Sequence, residues 1–150
     1  MELSIKEKLL LEDQRDNEAV CVKTYTEYSN RADDSVLKNI FADHAKVEQE
    51  HYDTLTKILN GQVPPMAQGQ KQDNKYQFKG IHTTGTDNDK YLCENVLVAE
   101  KYVSSNYDTA IFECGDHNIR QILNHIQKEE QEHGEHIYNY MQSRGMYNVQ

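Results

Sequence analysis

The chain has 150 residues, a net charge of −9 and a mean hydropathy of −0.90. That length suits one domain (1–150) with a real core, and the acidic balance without a basic run argues against nucleic acid, whose phosphates would be repelled. The apolar run nearest the N-terminus, Leu9-Leu10-Leu11, is short and flanked by charge, so neither a signal peptide nor a membrane span is expected.

Four long helices are predicted, over about 5–30, 34–59, 88–113 and 116–143. Neither proline falls inside them, helix-favouring residues dominate, and apolar residues recur three and four apart. Asp34 and Asp116 stand where N-caps belong, Asn60-Gly61 reads as a C-terminal stop, and Gly115 as another. Between the second and third helices, residues 61–87 hold both prolines, Pro64-Pro65, and four of the seven glycines. This aperiodic stretch far exceeds the roughly 2–8 residues of a short turn between helices, so a long crossover is expected. Gly145-Met146-Tyr147-Asn148 closes the chain as a short tail. Cys21, Cys93 and Cys114 form no CxxC pair. They read as reduced, core-filling thiols of a protein made inside the cell, and they leave no rubredoxin-type iron site or zinc ribbon.

One motif occurs twice. Glu48-Gln49-Glu50-His51 returns as Glu130-Gln131-Glu132-His133, and a glutamate precedes each copy by 30 residues, Glu18 and then Glu100. All these pairs are 82 residues apart, as are Tyr25/Tyr107, Asp34/Asp116, Ile40/Ile122 and Lys46/Lys128. Shared amphipathicity alone would not place the motif and the distant glutamates in one register, so the chain reads as two pseudo-symmetric helical hairpins. In the second helix Leu37, Phe41, His44, Glu48, His51 and Leu55 form a single stripe, matched in the fourth by Ile119, Leu123, Ile126, Glu130, His133 and Ile137. Glu18 and Glu48 lie equally far from the turn near residue 33, and Glu100 and Glu130 equally far from Gly115. At about 1.5 Å per residue, each pair returns to one level.

Four ionised carboxylates converging in a core would repel strongly, and each is costly to bury without a partner. Two divalent ions would cancel four charges, and oxygen with imidazole donors suits iron first, then manganese, with zinc as a third choice. The metal-ligand candidates are therefore Glu18, Glu48, His51, Glu100, Glu130 and His133. Tyr25 and Tyr107 are candidate hydrogen-bond donors to the ligands. His44, whose mate is Ile126, is expected to be a supporting or core histidine; His136, three residues after His133, is a conceivable substitute ligand but is not expected to serve as one. Glu50, Glu129, Glu132 and Glu135 read as solvated helix charges. Gly134, inside a helix, has no evident reason in the sequence.

The pattern resembles the ferritin-like superfamily of di-iron and di-manganese carboxylate bundles, rubrerythrins included, across all four helices. The resemblance implies terminal roles for Glu18 and Glu100, bridging roles for Glu48 and Glu130, capping roles for His51 and His133, and a crossover that makes the second and third helices parallel. Rubrerythrins carry a further glutamate where this chain has Val103, and their rubredoxin module is missing here. The layout and the Gly145-Met146-Tyr147 tail also resemble bacterial spore coat proteins of the coat F type, which implies a sporulating Firmicute, a place in the spore coat, and self-association or other coat proteins as partners. Two functions follow as expectations. One is a redox metalloprotein of peroxidase, catalase or ferroxidase type. The other is a structural coat or assembly protein that keeps metal for stability.

Overall fold

The computed structural model describes residues 2–66, 76–78 and 83–148. It is an all-α four-helix bundle of α1 (Ile5–Arg31), α2 (Ser35–Leu59), α3 (Asp87–Glu113) and α4 (His117–Ser143). Of the expected crossover over 61–87, residues 67–75 and 79–82 lie outside the described residues.

Each helix starts on a side chain that accepts an otherwise unpaired N–H. Ser4 and Thr86 accept from the N–H of Glu7 and Asp89, while Asp34 and Asp116 accept from Val36 and Ile119. The 82-residue repeat thus extends beyond the motifs, because Ser4 pairs with Thr86 and Glu7 with Asp89. Gly61 follows α2 with φ +85°, as expected of a residue after a helix end. Gly115 does not stop α3 in that way. The helix ends at Cys114 in an extended conformation, and Gly115 is absent from the positive-φ glycines.

Two clamps set the helix directions. The Asp33 and Asp34 N–H groups donate to the Asp89 carboxylate at 2.7 and 3.1 Å, which seats the start of α3 on the α1–α2 turn. At the opposite end the Gly115 N–H donates to Glu7 Oε1 at 2.8 Å, which seats the α3–α4 turn on the start of α1. These clamps are symmetry mates, and they make α3 antiparallel to α1 and hence parallel to α2. The end of α4 meets the start of α2, where the Tyr140 hydroxyl and Arg144 Nε donate to Asp34 Oδ2 at 2.8 and 3.1 Å. The chain must therefore return the whole length of α2, about 37 Å, before α3 begins.

The described crossover residues Tyr76 and Phe78 lie against α2 and α4. Tyr76 is buried, donates its hydroxyl to Asp43 on α2 and packs edge-on against His136 of α4. Phe78 packs edge-on against Tyr140, and the Gly85 N–H donates to the Arg144 carbonyl. The tail folds back too. Gly145 has φ +71°, Met146 is buried, and Tyr147 packs edge-on against Tyr138.

The interior is two apolar clusters separated by a polar waist. One holds Leu11, Leu55, Ile58, Val103, Ile119 and Leu123 among others. The other includes Leu37, Ile40, Phe41, Leu92, Val96 and Ile137. All three cysteines are buried free thiols, and burial pushes each thiol upward, Cys114 to about 11.

Asp89→Ala leaves two turn N–H groups without their acceptor. We expect a loss of about 2–4 kcal/mol, read as a lower urea midpoint with an unchanged slope. Burial would raise the Asp34 carboxyl, but the Tyr140 hydroxyl, the Val36 N–H and Arg144 outweigh it and hold the group below its ordinary 3.8. A carboxyl depressed in the folded state stabilises above its unfolded pKa and loses that contribution as pH falls toward the folded value. Asp34→Asn should therefore lower the urea midpoint near neutrality and shrink its fall on acidification below about pH 4.

Candidate metal centre

Glu18, Glu48 and Glu130 have no exposed surface, and His51, Glu100 and His133 are at most 3% exposed. All six lie at the waist, each on the inward stripe of its helix. Their ligand atoms fall into two overlapping groups, Glu18–Glu48–His51–Glu130 and Glu48–Glu100–Glu130–His133, in each of which the atoms lie within 4.8 Å of one another. Glu48 and Glu130 belong to both groups. Glu18 with His51 completes one, and Glu100 with His133 completes the other.

The tyrosines reach across the bundle rather than along their own helices. Tyr25 donates to Glu100 Oε1 and Tyr107 to Glu18 Oε1, each at 2.6 Å. Seven residues along one helix is about 10.5 Å, too far for a tyrosine to serve its own helix's glutamate. Helical side chains lean toward the N-terminus, so each ring slants back to the level of the antiparallel neighbour's carboxylate.

What the tyrosines leave unpaired defines the centre. Among the described residues, Glu18 Oε2, Glu100 Oε2, both oxygens of Glu48 and of Glu130, and His51 Nδ1 are buried without a hydrogen-bond partner. His51 Nδ1 lies 2.7 Å from Glu130 Oε1, and His133 Nδ1 lies 2.9 Å from Glu48 Oε1. Neither contact forms a hydrogen bond in this geometry. Each unpaired buried polar atom costs about 1–3 kcal/mol, more when charged, and these seven belong to residues whose ligand atoms cluster within 4.8 Å in each of the two groups. The donor set is four carboxylates and two imidazole nitrogens, which suits one pair of transition-metal ions.

Electrostatics sort the carboxylates into two kinds. Burial and the nearby Glu100 charge push Glu48 and Glu130 well above the usual carboxylate range. Burial would also raise Glu18, but the nearby His51 and Glu48 and the Tyr107 hydroxyl hold it at about 2. Glu100 is likewise lowered by Glu130, His133 and Tyr25. Burial opposes charge on His51 and His133 as well, yet Glu129 and Glu130 raise the first and Glu100 raises the second.

The two histidines have different backing. His51 Nε2 lies 3.1 Å from Glu129 Oε1, which His125 Nε2 also approaches at 3.0 Å. Glu129 is thus a partner of a candidate ligand and not the solvated charge expected from the sequence; its side chain is only 17% exposed. The repeat gave no hint, because the mate of Glu129 is Val47. His133 instead stacks on His44 at 4.0 Å, and His44 Nε2 meets His136 Nδ1 at 2.9 Å. His44 is therefore a buried support, and burial beside two other histidines lowers its pKa. His136 is not in either ligand group; it is held on His44 and Tyr76, one turn away from the carboxylates.

Tyr25→Phe and Tyr107→Phe each remove a donor from a buried carboxylate, but Glu100 Oε1 keeps His133 Nδ1 at 3.2 Å, whereas the Tyr107 bond is the one Glu18 Oε1 makes among the described residues. Tyr107→Phe should cost about 1.5–3 kcal/mol and Tyr25→Phe less. Urea unfolding in the presence of a chelator measures this, and a larger loss for Tyr25→Phe would overturn it.

Residues 88–150 match the family model of the Coat F domain, less than half of the chain. No curated protein and no solved structure matches it. The matched segment spans α3, α4 and the folded-back tail, and carries Glu100, Glu130 and His133. The second hairpin of this chain is similar to the Coat F domain.

Proposed function

We propose that the chain is a spore coat protein of ferritin-like type whose waist holds a dinuclear transition-metal centre, iron by preference, then manganese or zinc, that meets peroxide or dioxygen. The observation that carries the reading is the gathering of the six candidate ligands in two overlapping groups, with seven of their buried atoms lacking a hydrogen-bond partner, between two apolar clusters. Glu18 with His51 would hold one ion and Glu100 with His133 the other, with Glu48 and Glu130 shared between them. Bound ions would neutralise the carboxylates and, if iron or manganese, supply one-electron chemistry.

The chain's own groups prepare that site. Tyr107 and Tyr25 each tie down one oxygen of a terminal glutamate and leave the other free. Glu129 accepts from His51 Nε2–H, which sets the tautomer that keeps the Nδ1 lone pair for a ligand role. The apolar clusters above and below keep bulk water from the waist.

The Coat F match favours a second reading, in which the bundle is an assembly component and metal only stabilises it. In that case self-association or contact with other coat proteins is the function. Metal analysis after anaerobic loading with Fe(II) or Mn(II) should find about two ions per chain, and Glu48→Ala with Glu130→Ala should abolish them. No retained metal in the unaltered protein would overturn the dinuclear reading. Repeated additions of hydrogen peroxide to the ferrous protein then separate the two uses. Sustained consumption marks an enzyme. A single oxidation, with a metal-dependent rise in thermal midpoint, marks a structural site.

A further inference from the structure

Gly134 stands beside open space. In a helix it costs about 1 kcal/mol against alanine, and a Cβ built there would meet nothing nearer than Leu97 Cδ1, at 3.9 Å. It lies on a groove of about 370 Å³ between α3 and α4, with Leu97, Lys101, Ser104 and Ser105 on its walls. The groove also touches Glu100 and Glu130, which are at least 97% buried and whose oxygens Glu100 Oε2, Glu130 Oε1 and Glu130 Oε2 have no hydrogen-bond partner.

The pseudo-symmetric position on α2 is Tyr52, a half-buried aromatic, and α1 and α2 pack more closely along their length than α3 and α4. One hairpin is closed where the other is open. A second pocket, under Pro64, Pro65 and Met66, ends on His51 and Glu129. There the imidazole ring stands between the pocket and the carboxylates, because Nε2 faces Glu129 and Nδ1 faces Glu130.

We propose that the α3–α4 groove is the entry route for a small exogenous ligand, such as azide or hydrogen peroxide, to the Glu100–Glu130 side of the centre. Gly134 keeps that route open. Lys101 at its wall offers a positive charge to an anion in an otherwise acidic protein. The inference rests on the dinuclear reading above.

Azide binding to the Co(II)-loaded protein, followed by visible absorption, tests it with the series Gly134→Ala, Gly134→Leu and Gly134→Phe, and with Thr54→Phe in the other pocket. Cobalt stoichiometry should stay at about two per chain throughout. Alanine should leave azide affinity unchanged. Leucine and phenylalanine should weaken it about tenfold or more, with leucine carrying the test if the phenylalanine variant fails to fold. Thr54→Phe should bind azide as the unaltered protein does. Unchanged affinity in both larger Gly134 variants, or a loss confined to Thr54→Phe, would overturn the route while leaving the centre intact. Failure of the unaltered protein to take up cobalt would overturn the centre and the route together.

Discussion

Mutual repulsion among Glu18, Glu48, Glu100 and Glu130 at the waist of the bundle is the constraint that the rest of the structure answers. All four are buried at one level. Leaving an ionised carboxylate unpaired in a core costs several kcal/mol even after relaxation. Two tyrosine hydroxyls each neutralise part of one terminal carboxylate, and the two imidazoles approach the shared pair. Burial and the neighbouring carboxylates push Glu48 and Glu130 above the usual carboxylate range. The waist is consequently the least self-sufficient layer of the bundle. The apolar clusters on either side and the clamps at both ends hold it together.

Those clamps show how deeply the duplication runs. Ser4 and Thr86 cap equivalent helices, and Glu7 and Asp89 reach equivalent turns on the other hairpin. Each hairpin is therefore anchored by an acid from its partner, so neither is complete alone. The symmetry breaks at three places around the waist. Glu129 replaces Val47, His44 replaces Ile126, and Gly134 replaces Tyr52. The first gives His51 a carboxylate partner, the second gives His133 a stacked imidazole, and the third opens a groove toward the shared carboxylates. Two copies of one hairpin thereby yield two inequivalent halves of one site.

The Coat F match falls on the second hairpin, which has the candidate ligands Glu100, Glu130 and His133 and the open groove. The other three candidate ligands, Glu18, Glu48 and His51, come from α1 and α2. A scaffold role and a metal-binding role are compatible in such an arrangement, because ions at the waist would also tie the two hairpins to each other.

Much of this was legible in the residues themselves. The four helices follow from period and from caps such as Asp34 and Asp116, which act locally. Convergence of the six candidate ligands follows from an 82-residue repeat and from equal distances to two turns, since the rise of a helix is nearly constant. Tertiary structure alone decided what depends on how one helix is rotated and seated against another. Sequence length favoured the crossover, but the parallel course of α2 and α3 rests on the Asp89 and Glu7 clamps, which join residues 56 and 108 positions apart. Likewise, the crossing of Tyr25 to Glu100, the meeting of Glu129 with His51 and the space beside Gly134 depend on contacts between helices that no single-helix period records.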